Sequence, residues 1–448
     1  MFHHVTFCFL LNALIWAIGN SFAGSTLVVY FVTALGVANI GLTISAIKAS
    51  PQIAGLLRMA AAGMLDRFTR RFRLNPDTAS RRFTVIMHAL SVVVLAAFPW
   101  LAMTEIRFVH HTPDGGGGQW AMLAVAAIVM VWCVHHLLEY LGTVVLWSWT
   151  AERIAVPQRK RFFAMRNAAL CAGFFCGGLI VWWFGNLQTS SGTHTRIPED
   201  YALTAAIGAA LLGLAILPLM RVPPATTEQT STSPQPPSPT FTAIIRCEKF
   251  RRVLHYGVVM AAIGGLIQST QYLYAILYLR IPFETMLMLE ATLRIGQTLL
   301  SPWIGGLLAR RGYRAVLVPS TLVLAACGIA FLTATPENRV PYYIGWVMYL
   351  AWTGVNIGIP ARLAGFGDTH SRTIFIGCHQ ALTGGVLAVT TILGGVLVDR
   401  LMTTWTPVAV FRVFLAIGIA GRIAASAVAA RFPEDESATP TPAHRHGQ

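Results

Sequence analysis

The sequence predicts an all-α polytopic membrane protein with twelve transmembrane helices. We expect two six-helix bundles related by a pseudo-two-fold axis along the membrane normal. Three observations predict this fold class: an apolar composition, basic residues on one side of the predicted membrane, and short segments that recur in both halves. Hydrophobic residues make up 55% of the 448-residue chain and charged residues only 11%. Soluble domains carry about 25% charged residues, so most of this surface suits lipid better than water.

Twelve apolar runs are long enough to cross a bilayer, since a transmembrane helix needs about 20 mainly apolar residues. The runs cover 6–32, 39–62, 83–103, 119–148, 163–185, 201–220, 253–278, 284–308, 314–334, 340–361, 374–398 and 407–430. They are continuous, whereas strands of a membrane barrel alternate over about ten residues. The first run is too long for a signal peptide and lacks a basic flank, so we expect it to be retained.

Basic residues predict the orientation. Assigning all 33 Lys and Arg to the two sides of the twelve runs puts 23 on one side, with Arg166 among them, and five on the other. The last five fall inside the runs. Loops rich in Lys and Arg stay in the cytoplasm, so we expect a multi-pass protein of the cell (inner) membrane with both termini cytoplasmic. The net charge of +15 then reflects topology, and we expect no nucleic-acid partner.

A polar segment divides the runs into six and six. It is rich in Pro, Thr and Ser, which favours a solvated linker. We therefore predict an N-terminal bundle at 1–221, a cytoplasmic linker at 222–250, a C-terminal bundle at 251–432 and a disordered cytoplasmic tail at 433–448. The seven cysteines show no metal-ligand spacing, so we expect reduced packing residues, no metal site and no cofactor.

Two segments recur along the chain. Residues 62–71 are similar to 305–314, each with small residues, two large apolar residues and a basic turn. Residues 159–168 are similar to 372–381, each where a loop enters a helix. Both alignments place a helix of the first half over the helix six positions later. This pattern indicates duplication, and a repeat of six helices keeps its orientation in the bilayer.

The loop after the second run resembles that of the major facilitator superfamily, with Gly63, Asp66, Arg67, Arg70 and Arg71. The resemblance implies alternating access by rocking of two bundles. It also implies that Asp66 helps to latch the cytoplasmic side, where the N-terminus of the eleventh helix, near 374–376, would favour an anion. The three arginines would pair locally or meet lipid phosphates. A helix stop with a solvated basic turn is the alternative.

The chain departs from this family pattern at several positions. The second copy of the loop has Ala309 where the acid would stand, so any latch is one-sided. Drug/proton antiporters of the family carry an Arg in helix 4 and a Gly-Pro pattern in helix 5. Here the fourth run has His135, His136 and Glu139 but no Arg, and the fifth has no Pro. The subfamily therefore stays unassigned.

Ionisable residues within the runs are functional candidates because a charge inside a bilayer is costly. Glu139 is the first proton-coupling candidate, since burial favours the neutral form of a carboxyl group. His135 lies one turn earlier on the same helical face and could share that proton. The alternative is a structural ion pair between Glu139 and Arg58.

Further polar residues predict the lining of a central cavity. Arg294 suits an anionic substrate group, although Glu290 one turn away would neutralise it; Lys48 could contact substrate or extend to the interface. Amides and aromatic rings suit a polar organic solute, while interhelical hydrogen bonds explain the amides equally well. With Arg294 and Lys48, the candidates are Asn12, Trp16, Asn20, Gln268, Gln271, Tyr272 and Asn356.

Together these features predict a secondary active transporter of a small polar or amphiphilic solute, with proton coupling as a hypothesis. We expect a monomer that is not an enzyme. The chain has no nucleotide-binding glycine motif, so ATP-driven transport is not supported. Two alternatives stay open: a membrane enzyme acting on a lipid-linked substrate, and a transport-inactive sensor or scaffold with the same fold.

Overall fold

A computed structural model describes residues 2–24, 27–28, 40–111, 117–189, 198–224, 241–281, 283–366 and 369–432, and these residues contain helices and no strand. The α-helices are α1 (Phe2–Ala23), α2 (Ile40–Ala54), α3 (Ala61–Phe72), α4 (Pro76–His111), α5 (Gly117–Arg153), α6 (Arg159–Thr189), α7 (Pro198–Leu214), α8 (Ile216–Met220), α9 (Phe241–Arg246), α10 (Glu248–Leu273), α11 (Phe283–Arg311), α12 (Arg314–Thr333), α13 (Val340–Met348), α14 (Trp352–Leu363), α15 (Thr369–Leu401) and α16 (Pro407–Ala429).

Nine helical stretches among the described residues are long and apolar enough to cross a membrane. They are His4–Ala23, Pro76–Phe98, Ala126–Arg153, Val156–Trp183, Ala202–Met220, Glu248–Gln268, Arg314–Thr333, Arg372–Leu401 and Pro407–Ala429. Three further helical stretches, 40–72, 283–311 and 340–363, coincide with the second, eighth and tenth predicted runs. The all-α polytopic fold is therefore confirmed, while the number of twelve crossings stays a prediction.

Some helices extend beyond the apolar runs because polar residues cap them. α4 begins at Pro76 rather than at 83. The Thr78 amide donates to Asn75 Oδ1 at 2.8 Å, and proline at the first helical position needs no hydrogen bond for its nitrogen. Likewise Arg166, counted with the loop before the fifth run, lies two turns inside α6. Its guanidinium carbon is 5.7 Å from the centre of the Trp147 ring.

The second helical passage is interrupted. Pro51 lies inside α2, and residues Gly55–Ala60 form a six-residue 3₁₀ segment before α3 begins. The tenth passage has a shorter 3₁₀ segment, Tyr349–Ala351, between α13 and α14. After α10, residues Tyr274–Tyr278 form a π-helical turn. Interruptions of this kind often mark hinges or functional positions.

The two halves pack by the same pattern. In the N-terminal half, α1 packs against α6 and α7, and α4 packs against α5 and α7. In the C-terminal half, α10 packs against α15 and α16, and α12 packs against α13, α14 and α16. These pairs correspond when each helix is matched to the one six passages later. The packing is therefore what the repeated sequence segments predict.

Among the described residues, the most extensive packing between the halves is that of α6 on α11 and of α15 on α2 and the following 3₁₀ segment. Glycines allow close approach at both joints. A Cβ added at Gly305 of α11 would lie 2.3 Å from the Cβ of Ala164. One added at Gly377 of α15 would lie 2.8 Å from the carbonyl oxygen of Arg58. Only glycine fits these two positions without movement of the neighbouring helix.

Most of the basic loops lie at one end of the bundle, which we call the basic end. Contacts between loops define it: Arg81 donates to the Val222 carbonyl at 2.9 Å, and Arg159 donates to the Ala364 carbonyl at 3.3 Å. The Lys160 ammonium lies 4.9 Å from the centre of the Tyr313 ring. The one-sided charge predicted from the sequence is thus gathered at one end, and its cytoplasmic location stays a prediction.

The predicted linker and tail lie largely outside the described residues, which omit 225–240 and 433–448. The last part of the linker contains α9, and α10 begins at Glu248 rather than 251. All seven cysteines are free thiols, and four of them, Cys8, Cys171, Cys327 and Cys378, are buried.

Candidate functional site

A buried cluster of two histidines and one carboxylate lies near the middle of α5. His136 Nδ1 is 2.7 Å from Glu139 Oε2, which is a hydrogen bond. His135 Nε2 is 4.0 Å from the same oxygen. Glu139 is buried, with only 3% of the residue exposed. The spacings of three and four residues place both rings against one carboxylate, and His136, rather than His135, is its hydrogen-bond partner.

Ser91 of α4 orients His135. His135 Nδ1 lies 2.8 Å from Ser91 Oγ and 3.0 Å from the Ser91 carbonyl oxygen. A carbonyl only accepts hydrogen bonds, so pairing with it assigns the hydrogen to Nδ1. Nε2 of the neutral ring then carries a lone pair towards Glu139. The arrangement therefore offers two places for one additional proton, His135 Nε2 and the Glu139 carboxylate.

Arg58 connects this cluster to the C-terminal half. Its guanidinium carbon lies 3.6 Å from the centre of the Tyr140 ring, next to Glu139 in sequence. Its NH1 donates to the Gln380 carbonyl of α15 at 3.2 Å. Arg58 and Glu139 attract each other, but no contact short enough for an ion pair joins them among the described side chains. In place of the ion pair that was the alternative for Glu139, Arg58 makes an aromatic contact with Tyr140 and a hydrogen bond across the halves.

The same three side chains have the composition of a metal site. The ligand atoms of His135, His136 and Glu139 lie within 4.8 Å of one another, a grouping that the sequence analysis did not anticipate. Two features oppose a divalent cation: the 2.7 Å gap is already filled by a hydrogen bond, and Arg58 places positive charge nearby. A proton needs only the hydrogen bond that is present, so it fits this geometry better.

A row of uncharged polar side chains, which we call the α6–α11 seam, joins the two halves. Asn167 Nδ2 donates to Ser301 Oγ at 2.8 Å, and Cys171 Sγ donates to Gln297 Oε1 at 3.4 Å. All four side chains are buried. Buried polar groups are costly unless they are paired, so separating α6 from α11 requires water to enter and replace these bonds.

The structure brings two predicted cavity residues, Trp16 and Arg294, to one ring that the sequence analysis did not single out. The Phe174 ring centre lies 6.2 Å from that of Trp16 and 5.0 Å from the guanidinium carbon of Arg294. Arg294 also donates to Gln297 at 3.1 Å. Arg294 therefore stands at the end of the α6–α11 seam that is farther from the basic end. Phe174 lies in an apolar run that contains other aromatic residues, so nothing in the sequence distinguishes it from them.

Other predicted cavity residues occupy different environments. Asn12 is buried and donates to the Ala215 carbonyl at 2.8 Å, and Asn20 donates to the Trp16 carbonyl at 3.2 Å. Both bonds lie within the N-terminal half. The Asn12 bond joins two helices and the Asn20 bond lies within one helix. Lys48 lies close enough to Glu290 of the other half for their charges to attract.

The remaining cavity candidates are less constrained. Gln268 and Gln271 are half-buried and Asn356 is exposed. The side chain of Tyr272 lies outside the described residues. These positions leave a role in solute binding as a prediction for each of them.

The latch candidates lie at the basic end. Asp66 is half-buried in α3, which contacts α15, while Arg67, Arg70 and Arg71 are exposed. α15 begins at Thr369, five residues before the predicted helix start. The unbonded amides of a helix are its first four, so an anion at this end would meet 369–372 and not 374–376. The roles of the four side chains stay predictions.

The position of Cys171 in the α6–α11 seam predicts how fast its thiol reacts with a water-soluble reagent. Cys171 lies between the halves, whereas Cys327 lies within the C-terminal half and donates to the Gly345 carbonyl at 3.0 Å. If the halves separate at the basic end, N-ethylmaleimide should modify Cys171 at least about tenfold faster than Cys327, because an open state costing a few kcal/mol is still populated. Variants that each keep one of these two cysteines allow the comparison by mass spectrometry. Equal rates for the two thiols would show that the seam stays closed.

No protein-family model and no curated protein matches the chain in sequence. Solved structures match it over nearly its whole length. A bacterial homologue of the iron transporter ferroportin, in its outward-facing state, aligns over 96% of this chain and 99% of that chain, with a TM-score of 0.66 and 11% identity. The proton:xylose symporter XylE aligns over 97% of this chain and 96% of that chain, with a TM-score of 0.64 and 14% identity.

A third match is FucP in its outward conformation, which covers 94% of this chain and 98% of that chain, with a TM-score of 0.60 and 12% identity. XylE and FucP are both described as major facilitator superfamily proteins. The chain therefore has the fold of that superfamily, and the fold implied by the loop after the second helix is confirmed.

Proposed function

We propose that this protein is a secondary active transporter that moves a small polar or amphiphilic solute by alternating access, with protons as the coupling ion. The observation that carries the proposal is the buried His136–Glu139 hydrogen bond, at 2.7 Å. It lies one residue from Tyr140, which contacts the arginine that bonds to the other half. A proton site is thereby linked to the joint that must open and close.

The coupling follows from charge. While Glu139 is ionised, it attracts Arg58 and steadies the guanidinium over Tyr140. Protonation of Glu139 removes that attraction, so Arg58 is held less firmly where it donates to the Gln380 carbonyl. A weaker bond between the 3₁₀ segment Gly55–Ala60 and α15 favours separation of the halves at that joint. Uptake of a proton and movement of the halves would then depend on each other, which is the requirement for coupling.

The solute class rests on the groups between the halves. Arg294 supplies a fixed guanidinium, and Trp16 and Phe174 supply aromatic surface beside it. Such a mixture suits a solute with both polar and apolar parts. Matched structures of this fold are named for a xylose symporter, a nucleoside transporter and an iron transporter homologue. These different solutes support transport as the activity and leave the solute open.

The alternatives receive less support. A membrane enzyme acting on a lipid-linked substrate needs its carboxylate and histidines accessible from the bilayer, whereas His135 and Glu139 are 1% and 3% exposed. A sensor or scaffold has no need of a proton site beside the joint between halves. We also propose that the protein lies in the inner membrane with the basic end and both termini on the cytoplasmic side. We propose that it is a monomer.

The proposal is tested by binding followed by transport. Purified protein is screened by thermal shift against sugars, nucleosides, amino acids and organic anions, because a ligand at 100 times its Kd stabilises the fold by about 2.7 kcal/mol. Each stabilising solute is then offered to proteoliposomes with an imposed pH gradient. We expect accumulation that collapses when a protonophore is added. A bound solute that is neither accumulated nor exchanged would favour the sensor, and a chemically altered one would favour the enzyme.

A further inference from the structure

A groove opens at the basic end, between the start of α10 and the end of α16, away from the residues between the halves. Its volume is about 740 Å³. Three exposed basic side chains lie around it: Arg251 and His255 from α10, and Arg431 just after α16. The groove plays no part in the proposed proton site or in the joint between the halves, so it stands independently of the proposed function.

The lining of the groove is layered along the helix axes. Leu254 and Val258 lie further into α10 than Arg251, and Val428 lies three residues before Arg431 on α16. Both helices are membrane-crossing candidates, with spans that begin at Glu248 and end at Ala429. The basic groups therefore lie at the level where a bilayer has headgroups, and the apolar groups lie at the level of its acyl chains.

Internal pairing leaves two of the guanidinium groups available. Arg252 forms an ion pair with Glu248 and donates to the Arg431 carbonyl at 2.7 Å, which ties α10 to the end of α16. Of the described residues that line the groove, Glu248 alone carries a carboxylate. Among the described residues, no carboxylate pairs with Arg251 or Arg431. The groove therefore presents uncompensated positive charge above an apolar wall.

We propose that this groove binds one anionic phospholipid, with its phosphate between Arg251 and Arg431 and an acyl chain along Leu254, Val258 and Val428. The planar guanidinium matches a phosphate oxygen pair, and basic pockets between transmembrane helices on the cytoplasmic side suit acidic headgroups. A zwitterionic lipid brings a cationic nitrogen beside its phosphate, which the arginines repel. The apolar wall favours a lipid over a soluble phosphate, because a soluble phosphate has no acyl chain to contact it.

The chain itself supplies one competing occupant. Glu434, Asp435 and Glu436 follow Arg431 after two intervening residues, Phe432 and Pro433, and carry the complementary charge. Carboxylates would satisfy the arginines, but this acidic segment has no large apolar residue for Leu254, Val258 and Val428. The two layers of the groove together fit a lipid better than a peptide acid.

The test measures lipid retention by native mass spectrometry on the full chain, with dioleoyl phosphatidylglycerol, dioleoyl phosphatidylcholine or glycerol phosphate as probes. We expect the wild type to retain one phosphatidylglycerol at least tenfold more tightly than phosphatidylcholine. The double variant Arg251→Gln/Arg431→Gln should lose that preference. Arg310→Gln/Arg311→Gln, which removes an exposed basic pair at the same end outside the groove, should keep it.

A second variant tests the apolar wall. Val428→Gln should weaken phosphatidylglycerol binding severalfold, and because Val428 also packs against the core, a thermal melt of the lipid-free variant separates loss of lipid binding from loss of fold. Equal retention of both lipids, an unchanged preference in the arginine variant, or equally tight glycerol phosphate binding would overturn the proposal. Retention of phosphatidylglycerol only after Glu434→Gln/Asp435→Asn/Glu436→Gln would assign the groove to the acidic tail and overturn it as well.

Discussion

Gly305→Ala is expected to open the basic end of the protein, whereas Gly306→Ala should leave it closed. A Cβ at Gly305 would lie 2.3 Å from the Cβ of Ala164, and a Cβ at Gly306 meets nothing within 4 Å. Overpacking of this kind costs about 1–3 kcal/mol, which corresponds to a roughly 5- to 150-fold change in the ratio of closed to open molecules. Since both changes replace a helical glycine by alanine, their intrinsic effect on the helix is the same.

The rate of Cys171 modification by N-ethylmaleimide, in a background that keeps only this cysteine, reports the change. It should rise in Gly305→Ala and stay at the starting rate in Gly306→Ala. Adding Ala164→Gly to Gly305→Ala removes the clashing atom and should restore protection, since paired changes at a contact are not additive. If the double variant is labelled as fast as Gly305→Ala, the clash is not the cause.

Glu139→Gln is expected to abolish uptake driven by a pH gradient while keeping exchange of solute across the membrane. The amide preserves the shape of the carboxyl and can still pair with His136, but it cannot bind and release a proton. Without proton coupling the solute can only equilibrate across the membrane, so we expect the ratio of internal to external solute to fall to about one. Proteoliposomes loaded with any solute that the wild type accumulates serve for both measurements.

Glu337→Gln is the matched control, because Glu337 is an exposed glutamate between α12 and α13, away from the basic end. It should accumulate solute as the wild type does. A thermal melt of each variant separates loss of coupling from loss of fold. Loss of both accumulation and exchange in a folded Glu139→Gln protein would point to solute binding or structure, and unchanged accumulation would exclude Glu139 from coupling.

Much of the fold could be read from the sequence because the bilayer imposes strong rules. Apolar runs of sufficient length and one-sided basic loops led to the helices and to the basic end. The errors are local and share a cause. A predicted apolar run stops at the first charged residues, whereas the helix itself continues to its capping residue. Asn75 and Pro76 start α4 seven residues before the apolar run, and α15 starts at Thr369 rather than 374.

The candidate site was harder to predict, because side chains three and four residues apart on a helix both reach the same neighbour. The sequence pointed to His135 as the partner of Glu139, and the hydrogen bond is made by His136. The sequence offered Arg58 as an ion-pair partner of Glu139, but a linear sequence cannot show that the Tyr140 ring lies beneath the guanidinium. The α6–α11 seam could not be predicted, because it depends on how two helices about 130 residues apart in sequence pack together. The bond from Thr298 to the Ala168 carbonyl is an example.

The six-residue 3₁₀ segment Gly55–Ala60 makes the second helical passage longer and more tightly wound than a continuous α-helix would be. A 3₁₀ helix rises about 2.0 Å and turns about 120° per residue, against about 1.5 Å and 100° in an α-helix. Winding these six residues into α geometry would draw α3 about 3 Å towards α2 and turn it by roughly 120°. Arg58 lies inside this segment and Asp66 lies beyond it, so one rewinding would displace the donor of the bond to the Gln380 carbonyl and turn Asp66 together with α3.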